Sequence, residues 1–576
     1  MYTSKHGHTH TRTQVHNHLA SRTSYLVSRI PYLVPRIPYL VSRIPYLVSR
    51  TPYLVSRIPH LVSRISCLLA CMFLISCATA TPGATPTSIY AAPFILATLD
   101  PGASPHTPTE ADTPTPTLIP TETFTPPPPA TLTPEASTPD ASTLPPPTTL
   151  TRPSYTVYAT VDYDNHTAEV DESILYPNLS GVTLSDLVIA VEPMLYGSAF
   201  SLTSLSVNGL PIANYTLDSH RLTVPIPALP SGSQISLVIE YNLNIPVKQK
   251  ANTFGWLDYQ TNLTEWIPFV VPYDPNSGWI LHDYIPWGEH LVYDSADFEV
   301  NIRFSASQSA PIIAAPALPE ANGEWTRYRL PGARTFALSL SRDFLVDESA
   351  VGSTAIRTYY FAGHEGAADK MTTVAGQAVG LFEPKFAEYP YPVLSVVELD
   401  YNDGLENDGL IFLSSAFFDQ YNGGVKNNLT VLGVHEIAHN WWFGLVGSDQ
   451  AQEPWLDEAL SLYSERIFFE FTNPELVDWW WQFRVNYFGP NGYVDMTIYD
   501  AVSFRDYTNA VYLNGATFLE DLRVRMGDEA FYKFIKDYAA QMSHRRAAAD
   551  DFFRIARSHT SKDISDLIAA YFASSH

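Results

Sequence analysis

Between residues 155 and 344, apolar and polar positions alternate in short runs. Tyr155-Thr156-Val157-Tyr158-Ala159-Thr160-Val161-Asp162-Tyr163 does so over nine residues, and 222–226, 235–241 and 298–304 are similar. A two-residue period puts every second side chain on one face, so each run predicts a half-buried strand. Gly, Pro, Asn and Ser bound the runs, and many short strands with such punctuation predict a sandwich-like β domain. After about residue 351 the pattern changes. Residues 367–387 predict a helix, with Met371, Val374, Val379, Leu381 and Phe382 as its apolar positions. Glu388-Tyr389-Pro390-Tyr391-Pro392 ends it. Leu394-Ser395-Val396-Val397-Glu398-Leu399 reads as a strand, and 530–539 and 563–572 as late helices. The expected fold class is α+β and multidomain: a β domain over 155–345, then a mainly helical domain over 346–576.

The first 154 residues have a different character. Residues 78–154 consist largely of Thr, Pro, Ala and Ser and hold 19 of the 46 prolines. Such a composition cannot bury a core and reads as an extended, semi-rigid stalk. Before it, the apolar run 65–77 follows Arg64. It is shorter than the roughly 20 residues a membrane span needs, and it fits a signal-peptide core with a positive flank. Its end, Leu74-Ile75-Ser76-Cys77, resembles a bacterial lipobox. That resemblance implies cleavage before Cys77, lipidation of its thiol, and anchoring to a membrane on the extracytoplasmic side. The alternatives are an ordinary cleaved signal, giving a secreted protein, and a short uncleaved anchor. Within residues 1–64 a seven-residue unit, Tyr-Leu-Val-Ser-Arg-Ile-Pro, recurs behind His6, His8, His10, His16 and His18. A proline in each unit forbids a continuous helix. A His-rich tract could bind metal, but the preferred reading is a start codon assigned too early, with this segment outside the native protein.

Charge sharpens the division. The formal net charge is −25, yet the first 76 residues carry nine Lys or Arg and no Asp or Glu. The remainder is therefore strongly acidic, which argues against nucleic acid as a partner. All three cysteines, Cys67, Cys71 and Cys77, lie in the 65–77 run. The folded part has no disulfides, and any metal there must be held by His and carboxylate.

The donors for such a site are present. In His435-Glu436-Ile437-Ala438-His439, read as a helix, the two histidines at i and i+4 share one face. Glu458 follows in Trp455-Leu456-Asp457-Glu458-Ala459, 19 residues after the second histidine. Two imidazoles and a carboxylate make a three-ligand zinc site with a fourth position open for water. Glu436 stands where a general base for that water belongs. A surface helix with two unremarkable histidines is the alternative for the five-residue motif alone.

His-Glu-Ile-Ala-His-Asn-Trp-Trp-Phe-Gly, then Trp-Leu-Asp-Glu-Ala at this spacing, closely resembles the membrane alanyl aminopeptidase family of gluzincin metallopeptidases. The resemblance implies an N-terminal β saddle, to which 266–300 is similar, followed by a thermolysin-like catalytic domain. It implies one Zn²⁺ held by His435, His439 and Glu458. It also implies removal of N-terminal residues from peptides with a free N-terminus. Asp403-Gly404-Leu405-Glu406-Asn407 resembles the family's Gly-x-Met-Glu-Asn loop, whose glutamate binds the substrate α-amino group and whose backbone pairs with the peptide. Gly404, Glu406 and Asn407 are thus candidate substrate-binding residues. Asp403 stands for the leading Gly and Leu405 for Met, and Asp403 adds negative charge beside the amine pocket. The alternative for this loop is a polar turn, since Asn-Asp-Gly is turn chemistry. Val511-Tyr512-Leu513-Asn514-Gly515-Ala516 resembles the family's Val-Tyr-x-Lys-Gly-Ala, which makes Tyr512 the candidate donor to the oxyanion. Glu465 shares a helical face with Glu458, and it either orients a ligand histidine or is a solvated surface residue. Larger family members continue into a long helical domain over the active site, so an end at residue 576 implies a more open cleft. Two other readings stand beside the aminopeptidase: a zinc endopeptidase of the same fold, and a catalytically silent surface-binding lipoprotein.

Overall fold

The computed structural model describes residues 150–305 and 309–576. The basic repeat, the lipobox at Cys77 and nearly all of the Pro-rich segment lie outside these residues. None of the described helices is long and apolar enough to cross a membrane.

The runs of alternating residues form strands. Ser154–Asp162 buries every second side chain, pairs in parallel with Ala296–Phe304 through Val157 and Val300, and pairs antiparallel with Thr167–Pro177. These belong to an eight-stranded sheet that also includes Gln234–Asn244, Phe200–Val207 and Trp325–Ala333. Two four-stranded sheets and the short hairpin of Tyr273–Asp274 with Gly278–Trp279 complete the β part. One sheet joins Leu184–Ala190 to Arg221–Leu229, and the other joins Gln260–Leu263 to Leu338–Ser341.

A five-stranded sheet opens the second part. Its order is Leu345–Val351, Thr354–Tyr360, Val393–Leu399, Leu410–Ser414, Gly404–Leu405, with the middle three strands parallel and the edges antiparallel. Every residue of Val393–Leu399 is buried, as a strand covered on both faces requires. One face meets helix α1 (Glu365–Lys385) through Met371, Val374 and their neighbours. The other forms a smaller core of Phe344, Tyr359, Val397, Leu399, Leu410 and Phe412 with Ala314 and Ala337 of the β part. The hairpin Leu345–Tyr360 escapes the sequence pattern, because no residue of its outer strand is buried and its apolar positions do not alternate. The late helices run Asp528–Gln541 and Ser565–Tyr571.

The zinc motif lies on helix α2 (Asn428–His439), which is capped by Asn427 Oδ1 accepting from Thr430 N at 2.9 Å. A π-helical stretch, Asn440–Leu445, continues it. Helix α3 (Trp455–Thr472) packs alongside, and both helices are buried over most of their length. The Tyr-Pro-Tyr-Pro break after α1 serves as an anchor. Tyr389 donates to Asn440 Oδ1 at 3.1 Å, and that oxygen also accepts from Gly409 N at 2.9 Å. Tyr391 donates to Asp408.

Asp408 also accepts from Arg334 N at 3.0 Å, Thr335 N at 2.7 Å and Thr335 Oγ1 at 2.8 Å. Arg334, itself buried, donates to the carbonyls of Phe443, Tyr293 and Arg545 at 2.7, 2.8 and 2.8 Å. A charge-rich plug thus fixes the end of the β part to the loop before Leu410–Ser414 and to the stretch just past the zinc motif.

Candidate active site

Helix α2 aims His435 and His439 at Glu458 on α3. His435 Nε2 lies 3.2 Å and His439 Nε2 3.6 Å from Glu458 Oε2. One donor atom from each residue falls within 4.8 Å of the others, and all three side chains are buried. A tetrahedral ion bonded at about 2.0–2.1 Å needs donors roughly 3.4 Å apart. The spacing, the burial and the His₂Glu donor set all fit zinc.

Each imidazole is held from behind. His439 Nδ1 is 2.5 Å from Asp457 Oδ1, whose other oxygen accepts from Gln450 Nε2 at 2.7 Å. His435 Nδ1 is 3.0 Å from Glu465 Oε1. Glu465 is fully buried and accepts from Trp480 Nε1 at 2.8 Å and Arg484 at 2.9–3.2 Å. The solvated alternative for Glu465 is therefore gone. Such outer carboxylates fix tautomer and ring direction. Asp457 was legible only as the residue before Glu458, and Arg484 carried no sequence signal.

Glu436 sits on the same helix. Its carboxylate shares a cluster with Glu406 and His439, again with donor atoms within 4.8 Å of one another. Gly404, on the edge strand Gly404–Leu405, explains how it fits: a Cβ there would overlap the Glu436 carboxylate. We therefore expect Gly404→Ala to keep its metal but lower kcat/KM about 10²-fold, since displacing a reacting group by about an ångström costs this much. Metal content measured beside peptide turnover checks it.

Tyr512 lies on another π-helical stretch, Thr508–Asn514, a form frequent at functional sites. Its ring is parallel to that of His435, with centroids 6.0 Å apart, and its hydroxyl reaches Glu458. Burial first, then Glu458, pushes this phenol well above its ordinary range, so Tyr512 stays protonated and able to donate.

The cleft between these groups holds about 160 Å³ of water-accessible volume and is lined by Glu406, Asn407, Gly404 and Asp403 as well as the triad, Glu436 and Tyr512. The β part contributes Glu265, Trp287, Glu289 and His290, which sequence reading missed because they sit on irregular segments without motif spacing. Gly288 has φ +70°, and a side chain there would run into Ile498 and Tyr507, so the wall approaches closely only with glycine.

Carboxylates dominate the electrostatics. Burial first, then Glu406 and Asp403, raises Glu436 well above its usual range. Burial and neighbouring carboxylates do the same to Glu406 and Glu289. Burial also pushes Asp403 up to about 6, against the pull of Arg484. Burial opposes charge on His439, but Asp457 and Glu406 outweigh it and push the imidazole up to about 10. So many buried carboxylates with few cations form a site that favours positive charge.

A β part is thus joined to a helical part that carries an open His₂Glu donor set, an adjacent glutamate and a facing tyrosine. Residues 372–571 match the Peptidase family M1 domain. Aminopeptidase N of Lactococcus lactis subsp. lactis is 23% identical over 305 residues, covering 47% of this chain and 35% of that protein. Endoplasmic reticulum aminopeptidase 2 of Homo sapiens is 30% identical over 185 residues, covering 29% of this chain and 19% of the relative. The chain thus spans about a third or less of the length of these relatives. The M1 zinc metallopeptidase of Deinococcus radiodurans shares the fold at TM-score 0.53 and 16% identity, over 74% of this chain and 95% of that one.

Proposed function

We propose that this protein is a zinc-dependent aminopeptidase that removes N-terminal residues from peptides at an extracytoplasmic membrane surface. The observation that carries the reading is the convergence of Glu406 and Glu436 on His439, beside the His435, His439 and Glu458 donors. Those three residues would hold zinc, which when bound supplies a Lewis acid and an acidified water. The Glu436 carboxylate takes the proton of the attacking water and returns it to the leaving amine. The Tyr512 hydroxyl donates to the carbonyl oxygen as negative charge develops there. Glu406 pairs with the substrate ammonium, a partner available only at a chain terminus. The open side of the edge strand Gly404–Leu405 receives the peptide backbone. A glutamate-to-alanine mutant of the M1 zinc metallopeptidase of Deinococcus radiodurans has been captured with a Tyr-Ser-Ala substrate, and peptides with a free N-terminus are the substrates assigned to this chain.

The test compares one peptide set with free and with acetylated N-termini, with and without a chelator. Chelator-sensitive release of N-terminal residues from the free set only is the expected result. Cleavage of both sets would make the protein a zinc endopeptidase and remove the assigned role of Glu406. No cleavage with zinc bound would favour the surface-binding lipoprotein.

The location rests on Leu74-Ile75-Ser76-Cys77. Lipidation at Cys77 would tether the protein, with residues 78–154 as the spacer. Cys77→Ala should move the protein from the membrane fraction to the soluble one on fractionation, and unchanged retention would refute the anchor.

A further inference from the structure

Behind the cleft wall, three segments of the β part bring together a second set of the same donor chemistry. Glu192 opens the 3₁₀ turn Glu192–Tyr196, His220 sits between the strands Thr216–Asp218 and Arg221–Leu229, and His290 follows Glu289 on the irregular segment lining the cleft. His220 Nδ1 is 2.7 Å from Glu192 Oε1, and His290 Nε2 is 3.3 Å from Glu192 Oε2. One donor atom from each lies within 4.8 Å of the other two. The side chains are 2% (Glu192), 7% (His220) and 5% (His290) exposed.

Two further observations point to an ion. The four polar atoms Glu192 Oε1 and Oε2, His220 Nδ1 and His290 Nε2 are buried, and their close partners are one another, in poorly aligned contacts. Buried polar groups without aligned partners call for a ligand, because leaving them unsatisfied is costly. The donor set is that of the catalytic triad, more tightly drawn: the corresponding distances there are 3.2 and 3.6 Å, so His220 and Glu192 must separate by about half an ångström to admit an ion. The difference is that each imidazole here addresses a separate carboxylate oxygen. A bidentate carboxylate with two imidazoles supplies four donor atoms, which closes the coordination without a water. Imidazole donors select a transition ion over calcium or magnesium.

We propose that Glu192, His220 and His290 form a second zinc site, structural in kind, which clips three segments of the β part together. Because His290 adjoins Glu289, the clip also fixes the wall that faces His439 and Glu458.

The test counts zinc per chain by mass spectrometry after dialysis into metal-free buffer, using the full chain. Four proteins are compared: wild type, His220→Ala, His435→Ala/His439→Ala, and the triple variant. The histidines near the N-terminus are common to all four, so differences are read rather than totals. The expected result is that His220→Ala removes one equivalent from the wild type and one from the double variant. An unchanged count in either pair overturns the proposal. If His220→Ala does not fold, Glu192→Gln, which keeps size and polarity, takes its place. Added zinc should then raise the Tm of the double variant but not of the same protein carrying Glu192→Gln. An equal Tm shift in both would overturn the second site while leaving the catalytic reading untouched.

Discussion

Glu436→Gln should retain its zinc and lose peptide hydrolysis by about 10³- to 10⁴-fold, the upper part of the range for removing a positioned general base. Glutamine keeps the size of the side chain but cannot accept the proton of the attacking water. The site offers it little alternative. Glu436 is buried at 4% exposure, and Gly404 leaves room for its carboxylate alone. Glu406 lies close enough to accept a proton, but its assigned role commits it to the substrate ammonium. The loss should appear in kcat with KM little changed, because the interaction is made in the transition state. Metal analysis and steady-state kinetics on the same preparation check it, and a fully active variant with zinc bound would overturn the assignment.

Tyr512→Phe should lower kcat by about 10²- to 10³-fold, equivalent to about 3–4 kcal/mol for one donor aimed at developing charge in a water-poor site. Phenylalanine preserves the ring that lies parallel to His435 and edge-on to Tyr507, so packing and metal geometry should persist. Only the hydroxyl is lost. The expected signature is a large change in kcat with zinc content and thermal stability close to wild type. Unchanged kcat would show that the hydroxyl serves Glu458 rather than substrate.

What the sequence made legible follows from the range of each interaction. His435, Glu436 and His439 lie within one helical turn and a half, so their shared face can be read from spacing alone. Alternation was as readable in Ser154–Asp162, where one face is buried and the other is not. It failed for Leu345–Val351, an outer strand with little to bury. The outer partners divide in the same way. Glu465 was reachable as a residue on the face of Glu458, whereas Arg484, which holds it, comes from a separate segment after α3. The two parts meet through pairs such as Thr335 and Asp408, 73 residues apart. No local pattern announces such a pair, because either residue alone is an ordinary polar one. Glu265, Glu289 and the Glu192 cluster were invisible for the same reason.

The plug of Arg334 and Asp408 bears on how this chain can be cut and recombined. Residues 346–576 expressed alone would keep the zinc donors but lose the guanidinium that satisfies the carbonyls of Phe443 and Arg545, and the amides that satisfy Asp408. A carboxylate stripped of its buried partners costs about 3–5 kcal/mol, a large share of the net stability of an ordinary domain. The helical half is therefore not a portable cassette. Heating should melt both halves in one cooperative transition, and chimeras that exchange one half must keep Arg334 and pair Thr335 with Asp408.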